Sequence, residues 1–96
     1  MISTKDRAKL RGIAQKLEPT VLIGKAGLEQ AIFDEIVNVL EKHEIAKIRL
    51  LPNSGLDTKT AMQEICKNIF AEPVQQIGNV VVIYRKSSKK DAKHIL

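Results

Sequence analysis

The hydrophobic residues of this chain repeat with a helical period in three stretches and with a strand period between them, which leaves few possible folds. The helical stretches are residues 4–17, 28–43 and 58–71, and the strand stretches are 20–23, 45–51, 74–77 and 80–85. The predicted order is αβαβαββ. It indicates an α/β fold, a two-layer sandwich with a mixed four-stranded sheet that ends in an antiparallel hairpin at Gly78-Asn79.

Capping residues and prolines support these predicted helix boundaries. Ser3 is a weak helix cap, Asp57 is a good one, and prolines at positions 19 and 73 end the first and third helices. If the first two strands are parallel, the loops that follow them lie at the same edge of the sheet. That edge would then collect the starts of the second and third helices.

Charge is distributed by segment. Six basic and two acidic residues give 1–27 a charge of +4, and five basic and one acidic residue give 73–96 the same value. Residues 28–44 carry five acids and one base, which makes −4. The total of +5 over 96 residues favours a polyanionic partner, with nucleic acid first. We expect one domain over 1–86 and a basic tail over 87–96, either mobile or a short frayed helix.

Several function classes find no support in the sequence. Cys66 is a single cysteine on an apolar helix stripe, and we expect a buried structural thiol. His43 and His94 form no cluster at metal-ligand spacing, with His43 best explained as a charge at a helix end. The start lacks a signal peptide and no apolar run is long enough to cross a membrane, so we expect a cytoplasmic protein that is not an enzyme and needs no metal or cofactor.

The loop Gly24-Lys25-Ala26-Gly27 is the strongest candidate site. It ends a strand and precedes a helix, a position where backbone N–H groups attract an anion. The glycines would let a phosphate backbone come close, and Lys25 adds a positive charge. The spacing differs from that of the nucleotide-hydrolase and dinucleotide loops. The alternative is that these glycines only form a turn.

Other basic residues could extend this site or could only be solvated. Arg7 and Arg11 lie one turn apart on the first helix, and Lys47 and Arg49 alternate with the apolar residues of the second strand. Lys59 lies in the first turn of the third helix, where the helix dipole disfavours a cation. A phosphate, Asp57 or water would compensate that charge.

Aromatic residues are few. Phe33 and Phe70 fall on helix stripes and are expected in the core, which leaves Tyr84 as the candidate for stacking on a base. This shortage favours recognition of structured RNA through phosphate and sugar.

Four ordered motifs resemble the CRM domain (chloroplast RNA splicing and ribosome maturation) in its bacterial stand-alone, YhbY-type form. They are residues 17–28 with the GxxG loop, 40–48 with His43-Glu44, Thr58-Lys59-Thr60, and 77–85 with Gly78-Asn79. The resemblance implies an RNA-binding domain related to the C-terminal domain of a bacterial translation initiation factor. It also implies association with RNA of the precursor large ribosomal subunit. The implied RNA-binding set is Gly24, Lys25, Ala26 and Gly27, helped by Arg7, Arg11, Lys47, Arg49, Lys59, Arg85 and Lys86.

Two alternatives stay open from the sequence. One is a general DNA and RNA binder that resembles the Alba proteins in element order. The other is a protein-interaction module in ribosome assembly, in which the acidic second helix contacts a basic ribosomal protein.

Overall fold

The computed structural model describes residues 2–96, and in this range it contains three α-helices and four β-strands. Their order is α1 (Thr4–Ala14), β1 (Val21–Ile23), α2 (Gln30–His43), β2 (Ile45–Leu50), a 3-10 turn (Pro52–Ser54), α3 (Thr58–Ile69), β3 (Glu72–Ile77) and β4 (Val80–Tyr84). The predicted α/β class and element order are confirmed.

The strands form one mixed sheet in the order β1-β2-β4-β3, in which β1 and β2 are parallel and the other pairs antiparallel. The ends of β1 and β2 meet, because the N–H of Leu51 donates to Ile23 O at 2.8 Å. The β3–β4 hairpin reaches the same edge, where the N–H of Leu50 donates to Asn79 O at 2.8 Å. We call this edge, formed by residues 24–29, 51–57 and 78–79, the turn edge.

The sheet has helices on both faces. α2 and α3 cover the face that carries Ile48 and Ile83, and these elements form the larger hydrophobic core. α1 packs on the opposite face through Leu10 and Ala14 against Val82. The predicted two-layer sandwich is therefore incomplete, because α1 adds a third layer. The physical reason is the uninterrupted apolar run of β4, which has both of its faces to bury.

Helix and strand ends differ from the prediction by a few residues. α1 ends at Ala14 instead of residue 17, and the next residues form a tighter turn in which the N–H of Leu17 donates to Ala14 O at 3.0 Å. β3 begins before Pro73, because β3 is an edge strand and a proline there breaks no ladder of hydrogen bonds within the sheet.

Residues 86–96 form neither a helix nor a strand, yet they pack on the domain. The carboxylate of Glu44, only 1% exposed, accepts the N–H of Ser87 at 2.6 Å and that of Ile95 at 2.8 Å. His94 Nδ1 lies 2.5 Å from the same carboxylate. Glu41 accepts the N–H of Ser88 at 3.2 Å. The basic tail is therefore held against the end of α2.

Two expectations about side chains change. Phe70, predicted in the core, is 88% exposed because it ends α3 in the left-handed conformation, with φ 56°, and this places its ring outside the packed layer. Phe33 packs against the larger core as expected. Cys66 is half-buried instead of fully buried, and burial together with the Glu72 carboxylate raises the pKa of its thiol to about 11. A thiol with this pKa is a poor nucleophile at neutral pH.

Within residues 2–96, no helix combines the length and the apolar character that crossing a lipid bilayer requires.

Candidate nucleic-acid interface

The Gly24–Gly27 segment forms a tight turn at the end of β1. The N–H of Gly27 donates to Gly24 O at 2.9 Å, and Gly27 has a φ of +70°, which a glycine adopts without strain. Lys25 and Ala26 at the tip are exposed. Within the described chain their N–H groups have no protein acceptor. The turn therefore presents two backbone donors and one ammonium group to solvent.

The start of α2 is separate from this turn. The helix begins at Gln30, two residues later than predicted, and its N-cap is Glu29, whose side chain makes no capping hydrogen bond. A carboxylate thus lies where the helix dipole would attract an anion. An anion at this loop would be held mainly by the turn and Lys25, because the charge of Glu29 opposes a second negative charge at the start of α2.

The start of α3 is capped within the chain. The Asp57 carboxylate accepts the N–H of Thr60 at 3.0 Å and its hydroxyl at 2.9 Å, and these bonds, with a smaller contribution from the charge of Lys59, hold the pKa of Asp57 below its usual value. Lys59 is exposed, and the described residues give it no carboxylate partner within 4 Å. Its ammonium group is available to a ligand.

Arg49 completes a group of three free cations. It lies near the end of β2, opposite Leu22 of β1, and it is exposed with no hydrogen-bond acceptor in residues 2–96. Lys25, Arg49 and Lys59 therefore stand around the turn edge, and none of them donates a hydrogen bond to, or lies within 4 Å of a carboxylate of, the described residues. We call them the edge cations.

Three other predicted residues bind the protein itself. Lys47 Nζ donates to Ala14 O at 3.0 Å and to Leu17 O at 2.9 Å, which caps the end of α1. Arg7 Nε donates to Pro73 O at 3.2 Å. Arg85 Nη1 donates to Ile69 O at 3.0 Å, and its Nη2 lies 3.8 Å from Glu41. Arg7 and Arg85 contact the start of β3 and the end of α3, so they lie at the sheet edge opposite the turn edge.

The remaining two, Arg11 and Lys86, make no hydrogen bond or ion pair with the described residues and lie outside the turn edge. Ile95 of the tail lines a cavity of about 260 Å³ together with Ile13 and Leu17, so the tail and α1 are neighbours. The fold thus brings the basic start and the basic end together. Six of the eleven predicted residues therefore lie at the turn edge, and the other five lie away from it.

Sequence reasoning did not find two polar side chains at the turn edge. Asn79 Nδ2 donates to Leu50 O at 3.0 Å, and a side chain added at Gly24 would meet Asn53 Oδ1 at 3.7 Å. Asn53 lies shortly after β2, and Asn79 lies between β3 and β4. A polar residue just beyond the end of a strand is the sequence signal that could have identified both. No group of three or more His, Cys, Asp or Glu side chains suited to a metal ion occurs within residues 2–96.

The sequence profile of the CRS1 / YhbY (CRM) domain matches residues 2–85, nearly the whole chain. The chain belongs to the CRM domain family. The match includes the whole turn edge and ends just before the docked tail.

Curated relatives of this CRM domain are similar over most of their length. A protein of Haemophilus influenzae named RNA-binding protein is 35% identical over 91 residues, which cover 92% of this chain and 89% of the relative. Probable RNA-binding protein YqeI of Bacillus subtilis is 30% identical over 89 residues, which cover 93% of both chains.

A solved structure has the same fold. The solution structure of SAV1595 from Staphylococcus aureus, described as a candidate RNA-binding protein, superposes with a TM-score of 0.77 at 32% identity and covers 95% of each chain.

Proposed function

We propose that this CRM domain protein binds RNA through the turn edge, and that its ligand is structured RNA of the precursor large ribosomal subunit. The observation that carries this proposal is the group of edge cations, Lys25, Arg49 and Lys59, which stand beside unpartnered N–H groups and have no acceptor among residues 2–96. The RNA-binding names of the similar proteins support the class of ligand.

The exposed donors of the Gly24–Gly27 turn suit the phosphate groups of RNA. The N–H groups of Lys25 and Ala26 donate to phosphate oxygens, and the Lys25 ammonium adds a charge-assisted contact. Gly24 and Gly27 leave the backbone accessible to a sugar-phosphate strand. Arg49 and Lys59, the other two edge cations, contact neighbouring phosphates. Such contacts position the protein on a shape and specify no base sequence.

The protein-interaction alternative has less support from the acidic second helix in the structure than it had from the sequence. Two of the five carboxylates in the acidic segment 28–44, Glu41 and Glu44, accept hydrogen bonds from the tail. Asp34 accepts a hydrogen bond from Gln30 at 2.9 Å. Fewer unpartnered carboxylates thus remain for a basic ribosomal protein than the sequence suggested. A role on ribosomal precursors agrees with the expected cytoplasmic location.

Charge reversal tests the site. Lys25→Glu should weaken binding to large-subunit ribosomal RNA fragments by about tenfold or more at low salt, because it removes an attraction and adds a repulsion. Thermal melting should be unchanged, because Lys25 is exposed and unpaired. The matched control is Lys67→Glu, an exposed lysine in the last turn of α3 with the same change of net charge from +5 to +3. Equal affinities of the two variants would place the site elsewhere.

The ligand class needs a second comparison. Wild-type protein should bind a structured ribosomal RNA fragment more tightly than duplex DNA with the same number of phosphates at the same salt concentration. Equal binding to both would favour the Alba-like, general nucleic-acid function. Loss of binding on charge reversal of α2, with no effect of Lys25→Glu, would favour the protein-interaction module.

A further inference from the structure

The α1 face of the sheet carries a row of side chains that crosses all four strands beside the turn edge. Pairing aligns Leu22 of β1 with Arg49 of β2, Arg49 with Val80 of β4, and Val80 with Ile77 of β3. The neighbours of these residues along β2 and β4, Ile48 and Val81, point into the core on the other face. We call Leu22, Arg49, Val80 and Ile77 the sheet row.

The sheet row is open because α1 is short. α1 ends at Ala14, and its buried side chains cover Ile45, Val82 and Tyr84 at the other end of the sheet. Leu22 is therefore 53% exposed and Ile77 is 64% exposed. Between the end of α1 and the row lies a shallow cavity of about 180 Å³, which Lys47, Gln75, Ile77 and Val80 help to line.

The row is continuous with the proposed RNA site. Leu22 precedes Gly24 by two residues, and Val80 follows the Asn79 turn at the same edge. A strand of RNA whose phosphates contact Lys25 therefore has the sheet row within reach of its next nucleotides.

From this geometry we infer that the sheet row binds one or two unpaired nucleobases of the RNA held at the turn edge. Leu22, Val80 and Ile77 offer an apolar platform to the base faces. The unpartnered Arg49 guanidinium, in the middle of the row, stacks on a base or bonds the phosphate between two bases. Gln75 lies in the adjoining cavity, where its amide can reach the polar edge of a base. The inference rests on the proposed RNA-binding function.

The charge in the row favours RNA over a protein partner. A partner that buried this surface would also bury Arg49, and it would have to supply a carboxylate in the middle of an apolar contact. RNA carries both the flat apolar surface and the negative charge that the row needs.

The test compares two RNAs with the same number of phosphates, a stem–loop with an unpaired loop and a fully paired duplex. Wild-type protein should prefer the stem–loop. The double variant Leu22→Gln, Ile77→Gln should lose that preference, with about tenfold weaker binding to the stem–loop and little change on the duplex. Both residues are exposed, so the fold should persist, and thermal melting verifies this. Phe70→Gln is the control, since it removes an exposed apolar side chain at the opposite edge of the sheet.

The outcomes separate the two proposals. Loss of binding to both RNAs in Lys25→Glu, together with loss of the stem–loop preference alone in the double variant, supports both. A double variant that retains the preference overturns the sheet-row inference and leaves the turn edge standing. If wild-type protein binds neither RNA, the proposed function fails as well. A wild-type dimer that the double variant converts to a monomer in sedimentation would identify the row as an interface between copies, which also overturns the inference.

Discussion

At the scale of single residues, Glu44 organises more of the molecule than any other charged side chain described. It ends α2 in the left-handed conformation, with φ 63°, and its buried carboxylate accepts hydrogen bonds from Ser87 and Ile95. Burial alone would raise the pKa of Glu44, but these bonds and His94 outweigh burial and hold the pKa below its usual value. A single carboxylate thus holds both ends of the basic tail.

The lowered pKa of Glu44 predicts a dependence of stability on pH. A carboxyl group whose pKa is lower in the folded state stabilises the fold above its usual pKa, near 4.5, and this contribution is lost as the pH falls through the folded value. Glu44→Gln should therefore cost roughly 2 kcal/mol at pH 7 and reduce the dependence of melting temperature on pH between 7 and 3. Thermal unfolding of both proteins across this range measures the effect. Parallel curves for wild type and variant would contradict it.

The sequence could not reveal these residue roles. Glu44 follows His43 as one more acid of an acidic helix, and only the tertiary fold brings Ser87 and Ile95 to it. Lys47 had the alternation of a solvent-facing strand residue, but the early end of α1 left carbonyl groups that its ammonium satisfies. By contrast, the capping role of Asp57 was predictable, because its partner Thr60 is only three residues away.

At the scale of elements, the helices were predictable where their apolar stripes are broad. The spacing of Ile36 and Leu40, and of Ala61, Ile65 and Ile69, identified α2 and α3, and these residues are buried as expected. Their ends were less predictable, because backbone conformation decides them. Gly27 adopts a left-handed φ, and this delays the start of α2 to Gln30.

The GxxG turn makes a prediction about its two glycines. Gly27→Ala should lower the free energy of unfolding by about 1 kcal/mol, because alanine is strained at a φ of +70°. Gly24→Ala should leave stability unchanged, because its methyl group would meet only ordinary contacts at 3.7 Å. Chemical denaturation measures both, with Gly55→Ala (φ +69°) as the matched strained control.

The Gly24→Ala variant also distinguishes a purely structural role of the turn from a role in RNA binding. If the turn contacts RNA, Gly24→Ala should weaken RNA binding although it leaves the fold stable. Wild-type affinity in this variant would show that the RNA backbone does not approach the turn closely.

At the scale of the whole molecule, the sequence predicted the buried helix stripes, apart from Phe70 and the half-buried Cys66, but not the face of the sheet on which each helix packs. A helical stripe such as Leu10 and Ala14 indicates only that one side is covered. The position of α1 depends on β4, which is apolar on both sides, and on a connection short enough to reach β1. The tertiary fold also separates the basic residues. Because β2 and β4 run in opposite directions, Arg49 near the end of β2 lies at the turn edge and Arg85 after the end of β4 lies at the opposite edge.

This distribution predicts the salt dependence of RNA binding. Three edge cations that replace counterions should give a slope of log K against log salt of about −2 to −3. Lys59→Ala should make the slope less steep by about 0.7 to 0.9, the contribution of one phosphate contact. Titrations at several salt concentrations measure both values. A slope near zero, or the same slope in the variant, would contradict phosphate binding at the turn edge.

The most direct test of the central claim is crosslinking in living cells with identification of the bound RNA. Wild-type protein and the double variant Lys25→Glu, Lys59→Glu should be compared at equal expression and equal thermal stability. We expect wild-type crosslinks to concentrate on RNA of the precursor large ribosomal subunit and the variant to lose most of them. Crosslinks spread over unrelated RNAs, or retained at full strength in the variant, would contradict the claim.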